Sequence, residues 1–406
     1  MPKKTKSRSA LFIILLLIIT ASLATGIYRV IKIPATSTIP TPEPNLPEDY
    51  DPKILTVGVD SRPASMLFYA VNHYIPPDRF QLRPVIIEDP NRRWMMMSAG
   101  ELDLAFSTLP EFVLGIARHS PGKAVAFISS STGADGIVTK IPLTNPDGLL
   151  GRKICAVPGS AGHYFLVQVL NSRGRSTGEV EFIPSPDNET ALEYFLWSDE
   201  TDAVVLWGEP FQRARKNHRL LISTDTFLPV PELLVAGEHV MAQRPGDLQL
   251  AVNGYYQLAD FVKTNPGLAR KLISSRSGKS IDQVDAMLAE TRLYSLEEAQ
   301  AISGEKMTGD MKVIQQIWSI EGLPNADNPI KPESTVNNVF MEGATVRPAI
   351  PLLDSPGPAG EKPSPAPSLS TVPVESPTSP AGVDPPSPRE DFVGPEDLEG
   401  PVVILP

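Results

Sequence analysis

From Lys53 to about Ala344, short apolar runs alternate with stretches of helical period. Ile54 to Val59 reads as a buried strand, Ala64 to Tyr74 as a helix and Leu82 to Glu88 as the next strand. Asn91 to Ala99 reads as a helix closed by Gly100, and Leu102 to Phe106 as a strand ending at Ser107 and Thr108. A helix to about His119 and a strand from Ala124 to Ser129 follow. The alternation then restarts, with strands at Lys153–Val157, Val180–Ile183 and Asp202–Leu206 and helices at His163–Ser172 and Asn188–Trp197. After a strand near Glu232 to Ala236 the chain turns helical, with segments at Pro245–Thr264, Pro266–Ser275, Ile281–Glu290, Leu296–Ile302 and Met307–Glu321. Strands alternating with helices of this length predict an α/β fold built from parallel βαβ units, in two similar halves with a helical return.

Both ends of the 406-residue chain break this pattern. Lys3, Lys4, Lys6 and Arg8 precede an apolar stretch from Ala10 to about Ile27, which is an export signal. Two fates are open for residues 1–31: removal after small residues near Ala24, or retention as a membrane anchor with the lysines inside. Residues 32–52 form a Pro/Thr-rich tether, and residues 346–406 an acidic, proline-rich tail expected to be disordered. From Pro348 onward the tail carries nine acids against Lys362 and Arg389, so it supplies most of the net charge of -11. The functional part of the chain is expected outside the cytoplasm, in the periplasm or at the cell surface.

Composition narrows the function. An acidic chain is a poor partner for nucleic acid phosphates. One cysteine, Cys155, excludes an intramolecular disulfide and any cysteine-rich zinc site, and five scattered histidines show no metal-binding spacing. No cofactor motif is present. Gly159-Ser160-Ala161-Gly162 invites comparison with a nucleophile elbow, but Pro158 stands where that motif needs glycine.

Five stretches carry a family resemblance: Leu55 to Val59; Ser98 to Phe106; Gly133 to Val138; Asp147 to Ile154 running into Val157-Pro158-Gly159-Ser160; and Asp202 to Pro210. In this order and spacing the middle of the chain resembles the substrate-binding proteins of ABC importers, in the nitrate, taurine and aliphatic-sulfonate branch. A thiamine-pyrimidine synthase shares that fold, but its cysteine-rich signature is missing here. The resemblance implies a two-lobed type-2 periplasmic-binding-protein fold with two hinge crossovers. Lobe 1 would comprise residues 53–140 and 231–345, lobe 2 residues 141–230, with crossings near Thr139–Thr144 and Pro231–His239. It implies a protein that captures a small anionic or zwitterionic solute and delivers it to a permease with a cytoplasmic ATPase; a monomer is expected, and the N-terminal segment, where retained, would hold it near the membrane. A membrane-tethered sensor or scaffold on the same fold is the alternative, and neither role is enzymatic.

Ligands of open α/β sheets sit beyond the carboxyl ends of strands, where helix N-termini also point. The strand ends here place Ser61, Arg62, Ser107, Thr108, Ser131, Thr132, Gly159, Ser160, His163 and Trp207 as candidate ligand-binding residues. Small hydroxyls and free N–H groups make an anion cradle, Arg62 adds a bidentate charge and Trp207 a face for an organic group. Each has an ordinary structural role open to it as well: a surface ion pair for Arg62, helix caps for Ser107 and Thr108, a solvated first-turn position for His163 and core for Trp207. Asp60 beside the cradle would repel an anion or hold an amine.

Overall fold

Eleven strands form two sheets of matching design in the computed structural model, which describes residues 53–346 apart from 121 and 303. The first sheet has the order β11-β4-β10-β3-β1-β2, and the second β7-β6-β8-β5-β9. β1 (Ile54–Val59), β2 (Gln81–Ile86) and β3 (Leu104–Thr108) run parallel. So do β6 (Lys153–Ala156), β7 (Glu181–Pro184) and β8 (Ala203–Trp207) in the second sheet. In each sheet one antiparallel strand is inserted beside the third parallel strand. In the first it is β10 (Val230–Ala236), between β3 and β4 (Lys123–Ser131). In the second it is β5 (Asp135–Thr139), between β8 and β9 (Arg219–Ser223). Each inserted strand is the first element after the chain arrives from the other sheet. This exchange defines two lobes joined by two crossings. The short β11 (Thr291–Leu293) edges the first sheet.

The crossings lie earlier than the sequence pattern suggests. Asp135–Thr139 belongs to the second sheet, so the first crossing is at Thr132–Ala134 rather than 139–144. Val230–Ala236 is central to the first sheet, so the return occupies Thr224–Pro229 rather than 231–239. Hydrogen bonds stitch the two crossing segments together: the Gly133 N–H donates to Thr224 Oγ1 at 2.8 Å, and the Thr224 N–H to the Asp135 carbonyl at 3.0 Å. Neither β5 nor β9 is among the strands expected from the sequence pattern.

The helices follow from local signals. α1 (Pro90–Ser98) starts at an Asp89 cap, and α2 (Leu109–His119) at a capping box in which Thr108 and Glu111 satisfy each other's backbone N–H groups. α3 (Ala161–Asn171) is capped by Ser160 and α4 (Asn188–Trp197) by Asp187. α3 is buried on all sides but its last residue, because it packs on its own sheet and faces α2 of the other lobe. α5 (Gly208–Asn217) follows β8 without a loop. The expected helix from Ala64 to Tyr74 is instead two 3-10 segments, Pro63–Tyr69 and Val71–Tyr74. Pro63 to Phe68 are all buried, and the longer rise of a 3-10 turn suits a segment that must pass through the core.

The helical return comprises α6 (Glu238–Gln243), α7 (Pro245–Thr264), α8 (Pro266–Ser277), α9 (Ile281–Ala289), α10 (Leu296–Ala301) and α11 (Gly304–Ile320). It encloses the first sheet and reaches the second lobe. Trp318 of α11 donates its indole N–H to the Pro110 carbonyl of lobe 1 at 2.9 Å, while its ring meets His163 and Tyr164 of α3. The expected export segment and tether, and the tail beyond residue 346, lie outside the described residues. Among the described residues no helix is long and apolar enough to cross a membrane.

Packing at Gly136 yields a test of the second sheet. A Cβ there would stand 2.7 Å from the Ile222 carbonyl oxygen and 2.8 Å from the Phe211 ring. Gly136→Ala is expected to lower the unfolding free energy by about 1–3 kcal/mol through overpacking, read as a lower urea midpoint with unchanged slope.

Candidate functional site

One guanidinium stands where the lobes meet. Arg62 follows β1, and its side chain is fully buried. Its Nη1 pairs with Asp60 at 2.5 Å, its Nη2 with Glu111 at 3.1 Å and its Nε approaches Asp135 Oδ1 at 3.5 Å. Asp60 and Glu111 belong to lobe 1, Asp135 to the first strand of lobe 2. The Arg62 guanidinium lies over the Trp207 indole, also of lobe 2, with Cζ 4.6 Å from the ring centroid. Glu111 completes the junction: its Oε1 accepts the Ala161 N–H, at the start of α3, at 3.3 Å. The anion at that helix N-terminus is therefore a carboxylate of the opposite lobe.

Backbone approaches equally closely. Gly208 has φ +56, and a Cβ there would lie 2.4 Å from the Ser61 carbonyl oxygen of the other lobe. At Gly159, φ +77, a Cβ would stand 2.4 Å from Leu114 Cδ2 of α2. Around the rim Gln212 and Arg215 of α5 bond the Glu290 carboxylate of lobe 1. Lys279 faces Glu209 at 3.9 Å, and Thr177 donates to Glu321 at 2.8 Å.

Acids outnumber bases in this seam. Arg93 reaches it from α1, donating to Asp60 Oδ2 at 3.1 Å and to the Phe106 carbonyl at 2.5 Å. Against Arg62 and Arg93 stand Asp60, Glu88, Glu111, Asp135 and Glu232, the last from the middle of β10. Burial pushes Asp60 up, but the two guanidiniums outweigh it and hold this carboxyl below its usual range. Burial wins at the other three shifted acids. It raises Asp135 despite Arg62, Glu232 to about 8 despite a bond from Ser129, and Glu88 to about 7 with help from the Asp60 charge. The site therefore holds more carboxyl groups than its two cations can keep ionised. Several buried atoms have no hydrogen-bond partner: the Trp207 indole N–H, Glu232 Oε1, Asp135 Oδ1 and Arg62 Nε. An unpartnered buried donor or acceptor is costly, so these atoms have most to gain from a ligand.

The structure brings Arg62, Ser61, Trp207 and Ser160 to this seam, and Ser131 joins through its bond to Asp135. Ser61 donates to Glu88 at 3.1 Å. Ser160 is committed to its helix, accepting the His163 N–H and donating to the Val157 carbonyl at 2.8 Å. Ser107 donates to the Thr108 carbonyl, Thr108 caps α2, and the Thr132 N–H bonds the Glu290 carbonyl. Gly159 gives its N–H to His163 Nδ1 at 3.2 Å. His163 packs its ring against Phe182 and Trp318 and lies 3.4 Å from Glu321. Its ring is not a base for Ser160, so these residues do not form a nucleophile–base pair. Cys155 is buried in β6 with its thiol pushed up to about 11 by desolvation, which suppresses its thiolate. Among the described residues no cluster of acids, histidines or cysteine is arranged to hold a metal ion.

Sequence reasoning missed Glu111, Asp135 and Glu232. A signal for Glu232 was available: a lone charge inside Val230-Pro-Glu-Leu-Leu-Val-Ala must be buried with a partner. Thr108 and Glu111 spell a capping box, which reveals the helix start but not that Glu111 also reaches across to α3.

The two matched sheets, each with an antiparallel strand received from the other, are the architecture of the periplasmic binding proteins. Solved structures agree. The periplasmic aliphatic sulphonate binding protein SsuA from Escherichia coli superposes with a TM-score of 0.58 at 14% identity, covering 74% of this chain and 97% of that one. The alkanesulfonate-binding protein SsuA from Xanthomonas axonopodis pv. citri, bound to MOPS, gives 0.54 at 17% identity, covering 69% and 96%. The desulfurization enzyme DSZB gives 0.50 at 15% identity, covering 71% and 98%, so the fold also hosts catalysis. No protein-family model and no curated protein matches the sequence.

Glu232 provides a pH test. Its carboxyl is raised from an ordinary value of 4.5 to about 8, so the native state holds an extra proton between those values. Its contribution to stability is full below about pH 4.5 and is lost as pH rises through about 8. Glu232→Gln should flatten the fall in unfolding free energy across this window and raise it at pH 8.5 by about 1 kcal/mol or more, measured by denaturant unfolding.

Proposed function

We propose that this chain is the extracytoplasmic solute-binding component of an ABC importer, which captures a small zwitterionic or anionic solute between its lobes and delivers it to a membrane permease. The observation that carries this reading is the buried seam, where side chains of both lobes converge on Arg62 while the Trp207 N–H and Glu232 Oε1 remain unpartnered. The fold supports it, and so do the binding roles named for its structural neighbours. So does the basic, apolar N-terminus, which would export the chain or hold it at the membrane.

Charge narrows the solute. Arg62 and Arg93 are already paired with Asp60 and Glu111, which leaves no spare positive charge for nitrate or bicarbonate. A zwitterion such as taurine offers its acid to Arg62 or to the N-terminus of α3 and its ammonium to the carboxyl groups of Asp135 and Glu232. The seam filled by the chain's own side chains also favours a second reading, a membrane-tethered sensor or scaffold that closes without transport.

A thermal-shift panel of nitrate, bicarbonate, taurine, alkyl sulfonates and thiamine pyrimidines on the full chain separates these readings. Taurine or another zwitterion at a hundred times its dissociation constant should add about 2.7 kcal/mol of stability, several degrees in Tm, with nitrate inert. Asp135→Asn should weaken a positive response by about tenfold or more. A panel that leaves Tm unchanged throughout would overturn the importer reading in favour of the scaffold.

A further inference from the structure

Two features of the seam, taken together, resemble a bound solute. The guanidinium of Arg62 lies on an aromatic face among carboxylates, the environment that recognises an organic cation. The carboxylate of Glu111 lies at the N-terminus of α3, the environment that recognises an organic anion. The two charged groups touch, Nη2 to Oε1 at 3.1 Å, and both side chains are fully buried. Both come from lobe 1, and the surfaces they fill, Trp207, Asp135 and Ala161, belong to lobe 2.

We propose that Arg62 and Glu111 form a tethered surrogate for the solute: this ion-paired unit of lobe 1 latches the lobes through its contacts with Trp207, Asp135 and Ala161 of lobe 2, and a solute enters by displacing it from them. This rests on the solute-binding reading and sharpens it, because the displacing molecule must bring a cationic and an anionic group close together. The latch is also imperfect. Arg62 Nε and Asp135 Oδ1 face each other at 3.5 Å and neither completes a hydrogen bond, while the Trp207 N–H on the ring beneath has no partner. A solute that satisfies these atoms gains what the latch leaves unmade, which allows it to compete against a covalently tethered rival. Gly208 belongs to the same device. With no Cβ it lets Ser61 close to contact, and any side chain there would wedge the lobes apart.

The test uses the full chain without solute. Spin labels at Asp78→Cys and Arg173→Cys, exposed positions on lobes 1 and 2, report the interlobe distance, and amide exchange reports the Ala161 N–H. The otherwise unaltered protein should give one short distance and a protected Ala161 amide. Glu111→Gln, which keeps the capping box of α2 but removes the charge, should lengthen or broaden the distance and speed Ala161 exchange on the order of tenfold or more. Gly208→Ala should lengthen the distance with Arg62 and Glu111 intact, so the readout does not depend on one variant folding. An identical short distance in all three proteins would overturn the latch. Opening in both variants, combined with no thermal response to any solute, would keep the latch and discard the solute-binding reading. A thermal response to taurine with a distance unaltered by Glu111→Gln would do the reverse.

Discussion

Burying one guanidinium between two sheets constrains everything else in this structure. An arginine side chain removed from water must be surrounded by acceptors, and no single element can provide them. Asp60 comes from the end of β1, Glu111 from the first turn of α2 and Asp135 from the start of β5, while Trp207 closes β8. Those four positions are all strand ends or helix starts, where an α/β sheet presents polar side chains to a ligand. The lobes therefore meet at the edges where such sheets place ligand sites, and the proposed solute would meet the chemistry that already holds Arg62.

The exchange of strands leaves only short connections between the two lobes. β5 and β10 each sit inside the sheet of the lobe they enter, so the crossings are short segments pinned by Gly133, Thr224 and Asp135. A rigid sheet on each side and a few residues between them is the arrangement of a hinge. The helical return qualifies the picture: α11 belongs to lobe 1 but carries Trp318 against α3, and Glu321 just beyond it meets Thr177 and His163. Opening has to release this contact as well as the central ion pairs.

Much of the fold was legible in the sequence. Two rounds of apolar strand and capped helix stand out because parallel strands buried on both faces are continuous apolar runs, and α4 and α7 begin and end where their signals place them. β5 and β9 were not legible as strands, and the placing of β5 and β10 in the sheet of the opposite lobe leaves no local mark in the sequence. Of the residues expected at the candidate site, Arg62 and Trp207 lie at the seam as their places at strand ends suggest, while Ser107, Ser160 and Thr108 spend their hydroxyls on local backbone, as short polar side chains do. Glu111 and Asp135 act across the seam, and only the tertiary arrangement reveals what they face.

The most direct measurement is a crystal structure of the full chain with the first zwitterion that stabilises it. Solute is expected between Arg62, Trp207 and the N-terminus of α3, with the Arg62–Glu111 pair broken and the Trp207 N–H or Glu232 newly bonded. Solute bound elsewhere, with that pair intact and Arg62 still over Trp207, would contradict this expectation.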